Sequence, residues 1–133
     1  MALRTTAAEM VASARNRIRE IPAKEAIEMA KSDNVVIVDI RDPRERERMG
    51  YIDGAFHCPR GMAEFWVDPD SPYYKPIFGE KKAYVFHCAS GWRSALTVAT
   101  LQDMGMENIA HITEGFKGWL DEGGPIVEPA DKG

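Results

Sequence analysis

Tyr84-Val85-Phe86-His87-Cys88-Ala89-Ser90-Gly91-Trp92-Arg93-Ser94 is the stretch from which the fold can be read. Tyr84, Val85 and Phe86 are aromatic or β-branched, the side chains that suit a pleated strand, and His87 closes the run. Small residues and a glycine follow Cys88, and then Ala95, Leu96, Val98, Ala99 and Leu101 recur at helical spacing. The segment predicts strand, short loop and helix, with Cys88 where the strand ends. In an open parallel sheet that carboxyl end is where ligands bind. Loop N–H groups and a helix N-terminus carry partial positive charge there. A thiol in that field should ionise readily, and the thiolate is the reactive form. Cys88 is therefore the candidate catalytic nucleophile.

The candidate substrate-binding residues are Ala89, Ser90, Gly91, Trp92, Arg93 and Ser94. Their backbone amides should point into the loop and stabilise negative charge on sulfur. Gly91 permits a turn that a Cβ would hinder. Arg93 and the Ser94 hydroxyl add a charge and a donor. Trp92 reads as an outward side chain that either shapes access or packs on the proline-rich loop. Arg93 reads either as an anion ligand or as the structural partner of a carboxylate such as Asp39; the sequence leaves both open.

Upstream, residues 5–19 read as a helix with the apolar stripe Ala7, Met10, Val11, Ala14 and Ile18. It is either a partner-binding or dimer-forming helix or one packed on the domain's own surface; the second is favoured because most such stripes simply bury a core face. Pro22 marks a first helical position, and a helix continues to Lys31. Val35–Ile40 is an apolar run broken only by Asp39, which predicts a strand covered on both faces. Asp42-Pro43 reads as an N-cap and N1 proline before the charged helix Arg44–Arg48. That run of mixed charge reads as a solvated face, although Arg41 and Arg44 could add positive field near the thiol. Ala55–Pro59 is a short strand in which Phe56 and Cys58 share a face, so Cys58 reads as a buried hydrophobe rather than a resolving thiol.

Downstream of that strand, residues 67–79 hold Pro69, Pro72 and Pro76 and read as a surface loop. Its aromatics, with Phe65 and Trp66 just before it, either wall a pocket above Cys88 or pin the loop to the body, and Arg60 could help receive an anion. The helix after Arg93 ends near Gly105. Asn108–Ile112 reads as the last strand, and Phe116, Trp119 and Leu120 as the apolar side of a closing helix. Alternating helices and strands mean an α/β fold with a mainly parallel sheet covered on both faces.

A chain of 133 residues, 44% hydrophobic, fits one domain. The net charge of −4 argues against general nucleic-acid affinity. No apolar run reaches the roughly 20 residues of a membrane span, and Met1–Thr6 lacks a signal-type apolar stretch. Two cysteines do not make a disulfide scaffold, so a reducing, cytoplasmic setting is expected. His57-Cys58 and His87-Cys88 suggest a metal, but strand neighbours point to opposite faces, and no metal-ligand spacing is present; no metal or other cofactor is expected.

The loop Cys-x-x-Gly-x-Arg-Ser resembles the active-site loop of rhodanese-type sulfurtransferases. Three further segments are similar to that family in its order: Val36-Ile37-Val38-Asp39-Ile40-Arg41; Gly50-Tyr51-Ile52-Asp53-Gly54-Ala55; and Glu114-Gly115-Phe116-x-x-Trp119 with Gly124-Pro125-Ile126. Tyr51 stands where the family usually has His, and Glu114 where it usually has Gly. The resemblance divides the chain into an N-terminal helical extension (1–19), a rhodanese-like domain (20–127) and a polar tail (128–133). It implies a sheet of about five strands with Cys88 ending the central one. It also implies transfer of sulfur from a thiosulfate-like donor through a Cys88 persulfide to a thiol or cyanide acceptor. The partners are then small molecules, with no nucleic acid or membrane, and the oligomeric state stays open. Two other classes compete: a rhodanese-like binding module, and a thiolate phosphatase or arsenate reductase. Thiolate phosphatases use Cys-x5-Arg, whereas four residues separate Cys88 from Arg93 here.

Overall fold

The computed structural model describes residues 1–129, so most of the tail expected over 128–133 lies outside the described residues. Five parallel strands form the sheet: β1 (Glu20–Ile21), β2 (Val35–Asp39), β4 (Phe56–His57), β5 (Ala83–His87) and β6 (Ile109–Ile112), in the order β1-β6-β5-β2-β4. β5 is central, and Cys88 follows its last residue. A separate antiparallel pair joins β3 (Tyr51–Ile52) to β7 (Ile126–Val127), so Asn108–Ile112 is not the last strand of the chain. β1 and β7 are two residues each, too short to show the alternation by which strands are recognised.

Strand parity splits the core. Val36, Val38, Ile40, Tyr84, Phe86 and Ile109 turn to one face and pack with Val98 and Leu101 of α5 (Trp92–Asp103). Ile21, Ile37, Val85, Ala110 and Ile112 turn to the other, against Ala23 and Ala26 of α2 (Ala23–Met29) and Phe116 and Trp119 of α6 (Gly115–Asp121). Burying a side chain of this size contributes about 1.5–3 kcal/mol, and β2, β5 and β6 place such side chains in both clusters.

The first helix, α1, runs Ala7–Arg17 behind a capping box of Thr6 and Glu9. It is shorter than the 5–19 read from the stripe, because Ile18 is already extended. Val11 and Ala14 pack on Ala95 and Ala99 of α5, while Met10 stays half exposed. α1 thus covers the domain's own surface. α3 (Pro43–Met49) has the expected Asp42 cap and N1 proline, and Glu45 completes a capping box. Cys58 is fully buried on the α5 face with Phe56 packed against the same cluster. After α4 (Ala63–Val67) the loop is pinned inward by Trp66 against Phe56, whereas Phe65 and Tyr73 pack edge to face on each other and remain exposed. No helix among the described residues is long and apolar enough to cross a membrane.

Candidate active site

Cys88 leaves β5 and enters a loop that turns at once into α5. The turn depends on Gly91, whose φ of +101° is a left-handed conformation that glycine adopts without steric cost. A Cβ there would press into the Thr113 carbonyl oxygen and lie 2.6 Å from Arg15 Nη2. From the other side, Phe116 N donates to the Cys88 carbonyl (2.8 Å) and Lys117 N to the Ala89 carbonyl (3.2 Å). Gly115, with φ +68°, lets this approach happen: a Cβ would come 2.6 Å from Ala89 O and 2.8 Å from Cys88 O. Two glycines thus fix the loop between α1, α5 and α6.

The thiol lies on the loop floor, 1% exposed. Gly91 N donates to Sγ at 3.1 Å and Ser94 N at 3.4 Å, and Ser94 Oγ is 3.6 Å away. Burial opposes ionisation most strongly, but the Ser94 hydroxyl and the Ser94 and Gly91 amides outweigh it and hold the Cys88 thiol below its ordinary pKa. Of the amides expected to reach the sulfur, those of Gly91 and Ser94 approach most closely. Burial pushes the Cys58 thiol up to about 12, with Glu64 adding to the effect; it stays a protonated, unreactive group at neutral pH.

Arg93 does not pair with Asp39. Its two terminal nitrogens grip Glu45 of α3 at 2.7 and 2.9 Å, a bidentate pair. Part of the charged helix therefore leans over the mouth of the loop instead of facing only solvent. Asp39 is fully buried and taken by Arg41, at 3.0 Å from Nε and 2.9 Å from Nη2. Arg41 also donates to the Gly50 carbonyl and lies 4.1 Å over the Phe116 ring. The Arg41 backbone N–H also donates to Asp39 at 3.0 Å, and Arg46 Nε adds a fourth bond at 3.2 Å. Arg41 is thus paired beneath the sheet's end, and Arg44 is exposed beside Asp42. Trp92 is half exposed at the start of α5, and Arg60 is exposed.

Two histidines flank the thiol on opposite faces. His87 is buried toward α6, donates from Nδ1 to the Cys88 carbonyl at 3.2 Å, and has no hydrogen-bond partner for Nε2 among the described residues, with Asp39 3.8 Å away. Burial pushes its pKa down to about 4, against the pull of Asp39. His111 is buried toward α5, with Nδ1 2.8 Å from Ser94 Oγ and Nε2 2.9 Å from Glu20 Oε2. The sequence reading singled out neither His111 nor Glu20, nor did it assign Glu45 a partner. In the fold, Phe86, His111 and Glu20 are in register across β5, β6 and β1, and parity puts all three on the face that carries Cys88; with β1 only two residues long, the sequence carries no pattern for that pairing. The departure at Glu114 has a local use, since its carboxylate caps α2 by accepting from Ala23 N at 2.9 Å.

A small amide-lined cradle with one activated thiol suits covalent catalysis on a compact electrophile. The Rhodanese-like domain pattern matches residues 22–122. Thiosulfate sulfurtransferase GlpE of Actinobacillus succinogenes is 30% identical over 108 residues, 80% of this chain and 88% of that protein. Dual specificity phosphatase Cdc25 of Arabidopsis thaliana is 28% identical over 123 residues, 86% of this chain and 81% of that one. A solved structure from Rhodopseudomonas palustris, described as of unknown function and a possible tyrosine phosphatase, has a TM-score of 0.91 at 52% identity, covering 96% of this chain and 98% of its own. With its five-stranded parallel sheet, the thiol loop at the end of the central strand and a family match over most of its length, this chain belongs to the rhodanese-like domain family.

Proposed function

We propose that the protein is a sulfurtransferase that carries sulfur on Cys88 between a thiosulfate-like donor and a thiol or cyanide acceptor. The observation that carries this reading is the convergence of the Gly91 and Ser94 amides on a single sulfur position. In the first step the Cys88 thiolate attacks the outer sulfur of the donor. The new S–S bond forms as the donor's own S–S bond breaks, and sulfite leaves with the electron pair. The persulfide's terminal sulfur is anionic, and amides, the Ser94 hydroxyl and the N-terminus of α5 stabilise it. In the second step the acceptor attacks that terminal sulfur and the Cys88 thiolate leaves. Dividing one transfer into two displacements is the gain of covalent catalysis.

The names of two relatives favour a phosphatase as the second reading. Against it stand the short spacing and the Glu45 carboxylate that occupies both arms of Arg93, the group a phosphoryl oxygen would need. The test sets the two against each other. Incubation with thiosulfate should add the mass of one sulfur atom to Cys88, cyanide should remove it as thiocyanate, and Cys88→Ser should abolish both. Turnover of an aryl phosphate should be negligible. Phosphatase activity that needs Cys88, with no persulfide, would reverse the ranking. Neither activity in a folded, reduced protein would favour a binding module.

A further inference from the structure

The Cys88 thiol is only 1% exposed, so its proton gains from a way out besides direct contact with water. Behind the loop a continuous hydrogen-bonded line provides one. Cys88 Sγ is 3.6 Å from Ser94 Oγ, Ser94 Oγ is 2.8 Å from His111 Nδ1, and His111 Nε2 is 2.9 Å from Glu20 Oε2. Ser94 and His111 are fully buried, whereas the Glu20 side chain is 29% exposed, so the line runs from the thiol to the surface. Its outer end is held by Arg15 of α1, which pairs with Glu20 and donates to the Thr113 carbonyl at 3.3 Å. Four different elements contribute to it, and no single fold requirement explains a buried histidine bridging a hydroxyl and a carboxylate.

We propose that Ser94, His111 and Glu20 form a hydrogen-bonded relay that carries the buried Cys88 proton to solvent and turns the Ser94 hydroxyl to stabilise the thiolate left behind, with Arg15 positioning the outer carboxylate. The carboxylate fixes the resting tautomer: Glu20 accepts from His111 Nε2–H, which leaves Nδ1 to accept from the Ser94 hydroxyl. The Cys88 S–H bond then breaks as Ser94 Oγ takes its proton, and the proton already on Ser94 passes to His111 Nδ1. The proton on His111 Nε2 moves to Glu20 Oε2 and on to water. The net change is a thiolate and one released proton, with no change of oxidation state. Afterwards the Ser94 hydroxyl is turned to donate to the sulfur, so the same line also orients the donor that stabilises the anion.

The charges around His111 suit a carrier that does not keep the proton. Glu20 from β1 and Glu114 from the turn before α6 favour its cation, Arg15 from α1 opposes it, and Cys88 faces it across Ser94. Burial, the largest influence, holds its pKa below the ordinary value. Glu20 is held below the usual carboxylate range because its bonds to His111 and Arg15 outweigh its own burial, so it releases a proton readily.

This inference deepens the sulfur-transfer reading and rests on it for its catalytic purpose, but its test needs no sulfur chemistry. In a Cys58→Ser background, the rate of Cys88 alkylation by iodoacetamide is followed against pH for the parent, His111→Gln and Glu20→Gln. Each variant's melting temperature is measured alongside. In the parent, the ¹⁵N shifts of the His111 imidazole are followed over the same pH range. The expected result is an upward shift of the alkylation profile in both variants, with about a fivefold to tenfold lower rate at pH 7 (~1 kcal/mol or more of thiolate stabilisation) and an unchanged plateau at high pH. The His111 shifts should move with the Cys88 midpoint. A folded His111→Gln protein with the parental profile would overturn the proposal. If that variant does not fold, a His111 imidazole that holds one state while Cys88 titrates would do the same. Coupled titration in a protein that takes no sulfur from thiosulfate would keep the proton route and remove only the sulfur-transfer reading.

Discussion

Gly91→Ala strikes the candidate site where it is tightest. Left-handed backbone costs an L-residue roughly 1–2 kcal/mol, and Gly91 stands at φ +101°. The added methyl would also press on the Thr113 carbonyl and approach Arg15 Nη2 to 2.6 Å. Neither obstacle is a loose side-chain end. Thr113 is anchored through its N–H to the Ile21 carbonyl at 3.0 Å, and Arg15 is tied to Glu20. The loop must therefore shift, and the shift pulls Gly91 N away from the sulfur. Strain and displacement together should lower stability by about 2–3 kcal/mol. For a chain of this size that is roughly 6–12 °C in melting temperature. The lost N–H···S⁻ bond is a separate effect on the thiolate, since bonds to charged groups contribute ~1.5–3 kcal/mol. Each 1.4 kcal/mol lowers the thiolate population about tenfold. Calorimetry reads the first effect, and alkylation of Cys88 at pH 7 in the Cys58→Ser background reads the second. A variant that melts with the parent and alkylates at the parental rate would refute the geometric argument for this loop.

The remaining predictions address the surroundings. Because His87 is neutral when folded, with a pKa near 4 against an ordinary 6.5, the unfolded chain takes up that proton first as pH falls. The stability tied to its neutrality is complete above about pH 6.5 and is lost on approach to pH 4, a total of about 3 kcal/mol. Urea midpoints from pH 7 to 4 should show this decline, and His87→Gln should flatten it; an unchanged slope would count against the burial argument. Cys58→Ser should form the persulfide at the parental rate while losing roughly 1–3 kcal/mol from a buried hydroxyl. A variant that accepts sulfur and can no longer deliver it would make Cys58 a partner thiol. Glu45→Gln should free Arg93 and lower the KM for thiosulfate severalfold with little change in kcat; an unchanged KM would mean that Arg93 does not face the donor.

What could be read from sequence follows from where each signal lies. The strand Tyr84–His87 and the helix after it announce themselves by side-chain type and period, so the position of Cys88 was legible within one short segment. The Asp42-Pro43 start of α3 was equally local. Partnerships between distant residues were not. Arg44–Arg48 alternates in charge along one helix, and nothing in that pattern says that Glu45 would turn to Arg93, 48 residues away. Asp39 drew attention as a partner for Arg93, yet Arg41 reaches it from two positions along the chain and needs no long-range contact. Glu20 and His111 are 91 residues apart and meet only because β1 pairs with β6. With β1 two residues long, that pairing left no pattern to find.

The packing of α1 on α5 bears on where this protein can be cut. The family pattern begins at residue 22, and a boundary drawn there would look natural. Removing residues 1–19 would uncover Ala95 and Ala99 on the helix that shapes the thiol loop, and would take away the guanidinium that neighbours both Glu20 and Gly91. Small side chains at the α1–α5 contact let the two helices approach closely, so little else in the chain could fill the space. The segment recognisable as the family's is therefore smaller than the piece that behaves as one body. A shortened version would keep every family motif and still hold its thiol loop slack, losing thiol reactivity before it loses its fold.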